Sequence, residues 1–78
     1  MLAEQIEINK KHSFELLVEL KKQNKETIEI NEGIFSYITK RGLIKKFVCF
    51  TTFSEYRNSD FYPQKAERVN SLYFVEIK

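Results

Sequence analysis

Ser13-Phe14-Glu15-Leu16-Leu17-Val18-Glu19-Leu20-Lys21-Lys22-Gln23-Asn24 decides the fold class of this chain, because it carries two periods at once. Phe14, Leu16, Val18 and Leu20 lie two apart, as on one face of a strand that turns back at Gln23-Asn24-Lys25. On a helical wheel Phe14, Leu16, Leu17, Val18 and Leu20 share one wide arc, with Glu15, Glu19 and Lys22 on the other side. The end signals favour the helix. Ser13 is a candidate N-cap, the glutamates come early, Lys21, Lys22 and Lys25 come late, and Asn24 can close the last turn. A helix here makes the protein mixed α+β; a strand makes it all-β.

On either side of this segment stand two similar tetrapeptides, Ile6-Glu7-Ile8-Asn9 and Ile28-Glu29-Ile30-Asn31. Each alternates apolar with polar and ends in a turn residue, and each reads as a short half-buried strand. Two copies do not make a repeat protein. From Glu26 to Ile38 the isoleucines, Thr27, Phe35 and Tyr37 favour extended structure, and Thr39-Lys40-Arg41-Gly42 reads as a hairpin turn with Gly42 available for a positive φ. Leu43 to Phe53 is apolar and aromatic on both faces, as a central strand covered on two sides would be. Ser54 to Asn70 reads as a loop followed by a short helix that Pro63 could start, running to about Asn70. Leu72 to Ile77 closes the chain as a strand. The resulting order, β-α-β-β-α-β, predicts a ferredoxin-like sandwich: a small antiparallel sheet with two helices on one face. The alternative is a mostly-β small barrel or curved sheet with one short helix.

With 78 residues the chain has room for one core, so 1–78 reads as a single domain. A core of this size supplies about 3 to 5 kcal/mol, and dimerisation would be a natural supplement. Hydrophobic residues at 42% and charged residues at 31%, with two glycines and one proline, predict a folded chain and not a disordered one. A lone cysteine, Cys49, excludes an internal disulfide and a multi-cysteine zinc site, which points to a reducing compartment, the cytoplasm. No leader or membrane-spanning pattern is present, so no membrane partner is expected. Net charge of +2 is too mild to imply a polyanionic partner by itself. Ten lysines against three arginines, with eight isoleucines and two alanines, suit an AT-rich genome such as that of many phages and mobile elements.

Residues capable of catalysis are few. His12 stands among lysines and Cys49 in an apolar stretch, where a thiol is an inert small core residue more often than a nucleophile. Asp60 with Glu76-Ile77-Lys78 imitates the acidic pair and lysine of metal-dependent nucleases, but the spacing is too loose to define a site. Neither glycine belongs to a phosphate-cradling loop. No catalytic residue, metal site or cofactor is therefore assigned.

Two stretches point to binding. Lys40, Arg41, Lys45 and Lys46 flank Phe47-Val48-Cys49-Phe50, and these last four residues resemble the end of the sheet motif of RNA-recognition domains. The resemblance covers about ten residues and implies base stacking on a sheet with cations on the phosphates. It departs from that family at the inserted Lys45 and Lys46, and at Glu7 where a stacking aromatic belongs. The second stretch, Phe53 to Tyr62, gathers four aromatics and an arginine in an expected loop. Tyr56, Arg57, Phe61 and Tyr62 are its candidate partner-binding residues, because rigid rings and arginine give contact area at small entropic cost.

The expected function is thus a small non-enzymatic binding protein, of inhibitor or adaptor type, that docks on a host protein or nucleoprotein complex. An anti-defence role such as anti-CRISPR inhibition is one instance compatible with size and composition. The alternative is a nucleic-acid-binding module using the basic, aromatic hairpin.

Overall fold

The structure, a computed structural model, describes residues 3–21 and 27–78. Its elements run α1 (Ala3–Leu20), β1 (Thr27–Asn31), β2 (Ile34–Ile38), β3 (Ile44–Phe50), α2 (Phe53–Arg57), β4 (Ala66–Val69) and β5 (Leu72–Ile77). The strands form one antiparallel sheet in the order β1-β2-β3-β5-β4. β3 is the central strand. It is reached through a hairpin from β2 and left through the α2 segment, after which the β4–β5 hairpin returns to its free side.

Each face of the sheet carries its own layer. Phe35 and Tyr37 on β2, Phe47 on β3, Phe74 on β5 and Val69 on β4 fall on one face by register, and α1 covers them with Phe14, Leu17 and Val18. Phe14 is the centre of this core, with its ring centroid 5.4 to 6.0 Å from those of Phe35, Tyr37, Phe47 and Phe74. Two polar contacts pin the helix to the β4–β5 hairpin: the Asn70 amide donates to Ser13 Oγ at 3.2 Å, and Lys21 pairs with Glu67 at 2.7 Å. The opposite face is only partly covered, by α2 and the loop after it.

Three tight turns set the register. Glu32 and Gly33 both have positive φ, 51° and 78°, and so do Asn70 and Ser71, at 50° and 68°. Two consecutive left-handed residues make the hairpin turn whose twist matches that of the strands it joins. At the β2–β3 turn Gly42 has φ of 83°, as its sequence context predicts, and its N–H donates to the Thr39 carbonyl at 2.9 Å.

The α+β class, the antiparallel sheet and the count of two helices among the described residues match the expectation. The finer architecture does not. The observed order is α-β-β-β-α-β-β, not the ferredoxin-like one, and the two helices lie on opposite faces. The sheet is open, with β1 and β4 as edges, so the barrel alternative also fails.

Ile6 to Asn9 belongs to α1 and is not a strand. Ile6 lies four residues before Lys10 and eight before Phe14, on the helix side that meets the sheet, while Ile8 points out and is half exposed. Ser13 is correspondingly a buried mid-helix residue and not an N-cap. The stretch from Pro63 to Asn70 holds β4 in place of the expected helix, because the Asn70-Ser71 turn pairs Ala66–Val69 with β5. Asn24 as a helix closer, and the competing turn at Gln23-Asn24-Lys25, lie outside the described residues.

Candidate binding surface

α2 starts where β3 runs out. Thr52 is its N-cap, extended at φ −136° and ψ 159°, and its side chain accepts the Glu55 N–H at 3.1 Å. The Thr51 hydroxyl donates to the Glu55 carboxylate. Thr52-Phe53-Ser54-Glu55 is therefore a capping sequence, and it places Phe53 and Tyr56 one helical turn apart with their rings in edge contact at 6.0 Å.

Tyr56 is the anchor of this layer. It is only 7% exposed, stacks on Tyr73 with an interplanar angle of 8° at 5.9 Å, and touches Phe50 at 5.9 Å and Tyr62 at 5.3 Å. Its hydroxyl donates to the Gln64 carbonyl, which ties the end of the loop to the helix. Ser59 Oγ donates to the Tyr56 carbonyl at 2.6 Å and accepts the Phe61 N–H at 3.2 Å, which directs the half-buried Phe61 ring against Phe50 at 6.1 Å. A second, smaller aromatic core thus sits on this face. The Arg68 guanidinium closes its side, 5.7 Å from the Tyr73 ring centroid.

On top of that core Phe53 and Tyr62 remain 50% and 45% exposed, edge to face at 6.4 Å and 89°. Arg57, in the last turn of α2, is exposed beside them. Of the four residues singled out from sequence, Arg57 and Tyr62 face solvent, Phe61 is half buried and Tyr56 is interior. A Tyr56 to Ala change therefore removes the support of the surface and cannot be expected to spare the fold. Phe53 belongs to the surface although sequence reasoning left it out. Its signal was the Thr52-x-x-Glu55 spacing, which makes it the first helical residue and not the end of a strand.

The basic hairpin does not form one surface. Lys40 and Arg41 are exposed in the β2–β3 turn. Lys45 and Lys46 are neighbours on a strand and point to opposite faces, Lys45 toward the α1 side, where it lies 3.6 Å from Glu76. Phe47, the ring expected to stack bases in the RNA-recognition reading, is buried beneath α1 and stacked on Tyr37 at 6.0 Å.

The reactive groups are equally scattered. Burial pushes the Cys49 thiol up to about 11, against a smaller opposing pull from Lys10, so it stays protonated near neutral pH. His12 is exposed on α1. Glu76 lies on the α1 side of the sheet, whereas Asp60 stands in the loop that packs against Phe50 on the other side. Among the described residues, no helix is long and apolar enough to cross a membrane.

No protein-family model, curated protein or solved structure matches the chain.

Proposed function

We propose that the chain is a small non-enzymatic binding protein of inhibitor or adaptor type that docks on a protein or nucleoprotein complex through Phe53, Arg57 and Tyr62. One observation carries this reading: two half-exposed aromatic rings are held edge to face on the buried Tyr56. Half-exposed rings are costly to leave in water, and these are already fixed in place, so a partner that covers them loses little side-chain entropy. An exposed arginine at their edge adds the residue type that, with tyrosine, dominates interface energetics. Inhibition of an antiviral complex such as a CRISPR effector is one form this activity can take.

The test is comparative capture. Immobilised chain and its Phe53→Ala, Arg57→Ala and Tyr62→Ala variants are exposed to native host extract, and the retained proteins are quantified by mass spectrometry. Loss of either ring is expected to cost about 2 kcal/mol, roughly thirtyfold in affinity, for one specific retained protein, with circular dichroism unchanged. Equal retention by all three folded variants rules this surface out.

A further inference from the structure

The sheet face that carries α2 is covered only at one end. Away from that end, β1, β2 and β3 present Ile34, Ser36, Ile38, Ile44, Lys46 and Glu29 on the same face, as the register Glu29↔Ser36↔Lys46 and Ile38↔Ile44 requires, and the end of β5 adds Ile77 beside Lys46. Ile44 is 59% exposed, far more than a strand residue under a packed layer would show. Glu29 and Lys46 are both exposed, and neither takes part in an ion pair among the described residues.

From this arrangement we infer that the open face pairs with the same face of a second copy of the chain. The argument is charge complementarity under two-fold symmetry. Glu29 and Lys46 flank Ser36 in one cross-strand row, each one strand away, which is about 4.8 Å to either side. A two-fold axis midway between two such sheets, parallel to β2 and above Ser36, carries β1 of one copy over β3 of the other. Glu29 then faces the partner's Lys46 and Lys46 faces the partner's Glu29, two opposite-charge contacts generated by one operation. The same axis sets Ile38 on the partner's Ile38 and Ile34 on the partner's Ile34. A two-fold axis along the row would set glutamate on glutamate and lysine on lysine, so the charges select one orientation.

The size of the patch sets the strength. Under this axis β1, β2 and β3 overlap their images while β5 overhangs the partner's edge, so three strands at about 4.8 Å and five residues at about 3.4 Å give roughly 250 Å² in projection, and side-chain relief raises the total for two copies to about 750 Å². That is below the size of stable specific interfaces, so the dimer is expected to be weak and transient, dissociating at about 100 μM or above.

Sedimentation equilibrium of the purified chain, from about 1 μM to 1 mM, is the test. The expected result is a concentration-dependent shift from monomer to dimer mass. Lys46→Glu and Glu29→Lys alone each weaken it at least about tenfold, because each sets like charges against each other twice, and the double charge exchange restores it to within about threefold. Both residues are exposed, so all three variants keep the circular dichroism of the parent. A monomer throughout, as a different occupant of this face would leave, overturns the inference. So does a dimer indifferent to the single changes, or a double exchange as weak as either single one. None of these variants touches Phe53, Arg57 or Tyr62, so the result is separate from that of the capture experiment.

Discussion

Replacing Phe14 by alanine is expected to abolish cooperative folding. The ring is fully buried and lies within 6.0 Å, centroid to centroid, of rings on β2, β3 and β5. It is the point at which α1 holds three strands together. Truncating such a ring costs about 3 to 5 kcal/mol in lost burial and residual cavity. A core in a chain this short supplies about the same amount, 3 to 5 kcal/mol, so nothing is left over. Phe14→Leu keeps most of the volume and gives up only the ring-edge contacts, for a loss of about 1 to 2 kcal/mol. Urea unfolding monitored by far-ultraviolet circular dichroism and tyrosine fluorescence measures both, the chain having no tryptophan. A cooperative transition in Phe14→Ala with less than about 1 kcal/mol lost would refute the packing of α1 on the sheet.

Individual contacts carry further consequences. The Cys49 thiol is raised from 9.0 to about 11, mainly by burial, so the folded chain keeps a proton that the unfolded chain gives up across that window. Stability is therefore expected to fall as pH rises from about 9 to 11, and Cys49→Ala to flatten the fall in denaturation series run below and inside the window; an unchanged slope counts against desolvation of this partly buried thiol. Tyr37, raised chiefly by burial, adds to the decline at the alkaline end. Tyr56→Phe keeps the stacked ring and loses the hydrogen bond to the Gln64 carbonyl, for about 1 kcal/mol and a lower melting temperature, while an unaltered melt shows that the loop is tied elsewhere. Labelled RNA and DNA oligonucleotides are expected to show no low-salt anisotropy change that depends on Lys40 and Arg41. A salt-sensitive affinity lost in the Lys40→Glu, Arg41→Glu variant would move the function to the β2–β3 turn.

The reach of sequence reasoning depended on whether local signals agreed with one another. Over Phe14 to Leu20 the helix is correct but its end signals were not: α1 begins at Ala3, so Ser13 is mid-helix and Glu15 and Glu19 fall in its second half, while Leu16 and Leu20, placed in the apolar arc of the wheel, are exposed at its edge. At Ile6-Glu7-Ile8-Asn9 the alternation was real but too short to distinguish from a helix whose next inward residues, Lys10 and Ser13, are polar. The identical pattern at Ile28 to Asn31 is a strand because Glu32-Gly33 can form the left-handed turn that pairs it with β2. Four alternating residues are thus decided by the turn chemistry beside them.

The β4–β5 hairpin was hidden for a similar reason. Asn70-Ser71 is a weaker turn signal than a glycine pair, and Pro63 reads in isolation as a helix start. For the candidate surface, composition identified the aromatic stretch but not its inside from its outside. That division depends on Tyr73 and Phe50, which come from strands that meet only in the folded sheet.

Amide hydrogen exchange by mass spectrometry, with and without a partner protein retained in the capture experiment, reads out directly whether the α2 segment is the docking surface. Residues 51–64 are expected to gain protection on binding while the turn at 39–43 exchanges as in the free chain. Protection confined to 39–43, with the α2 segment unaffected, would place docking on the β2–β3 turn and not on Phe53, Arg57 and Tyr62.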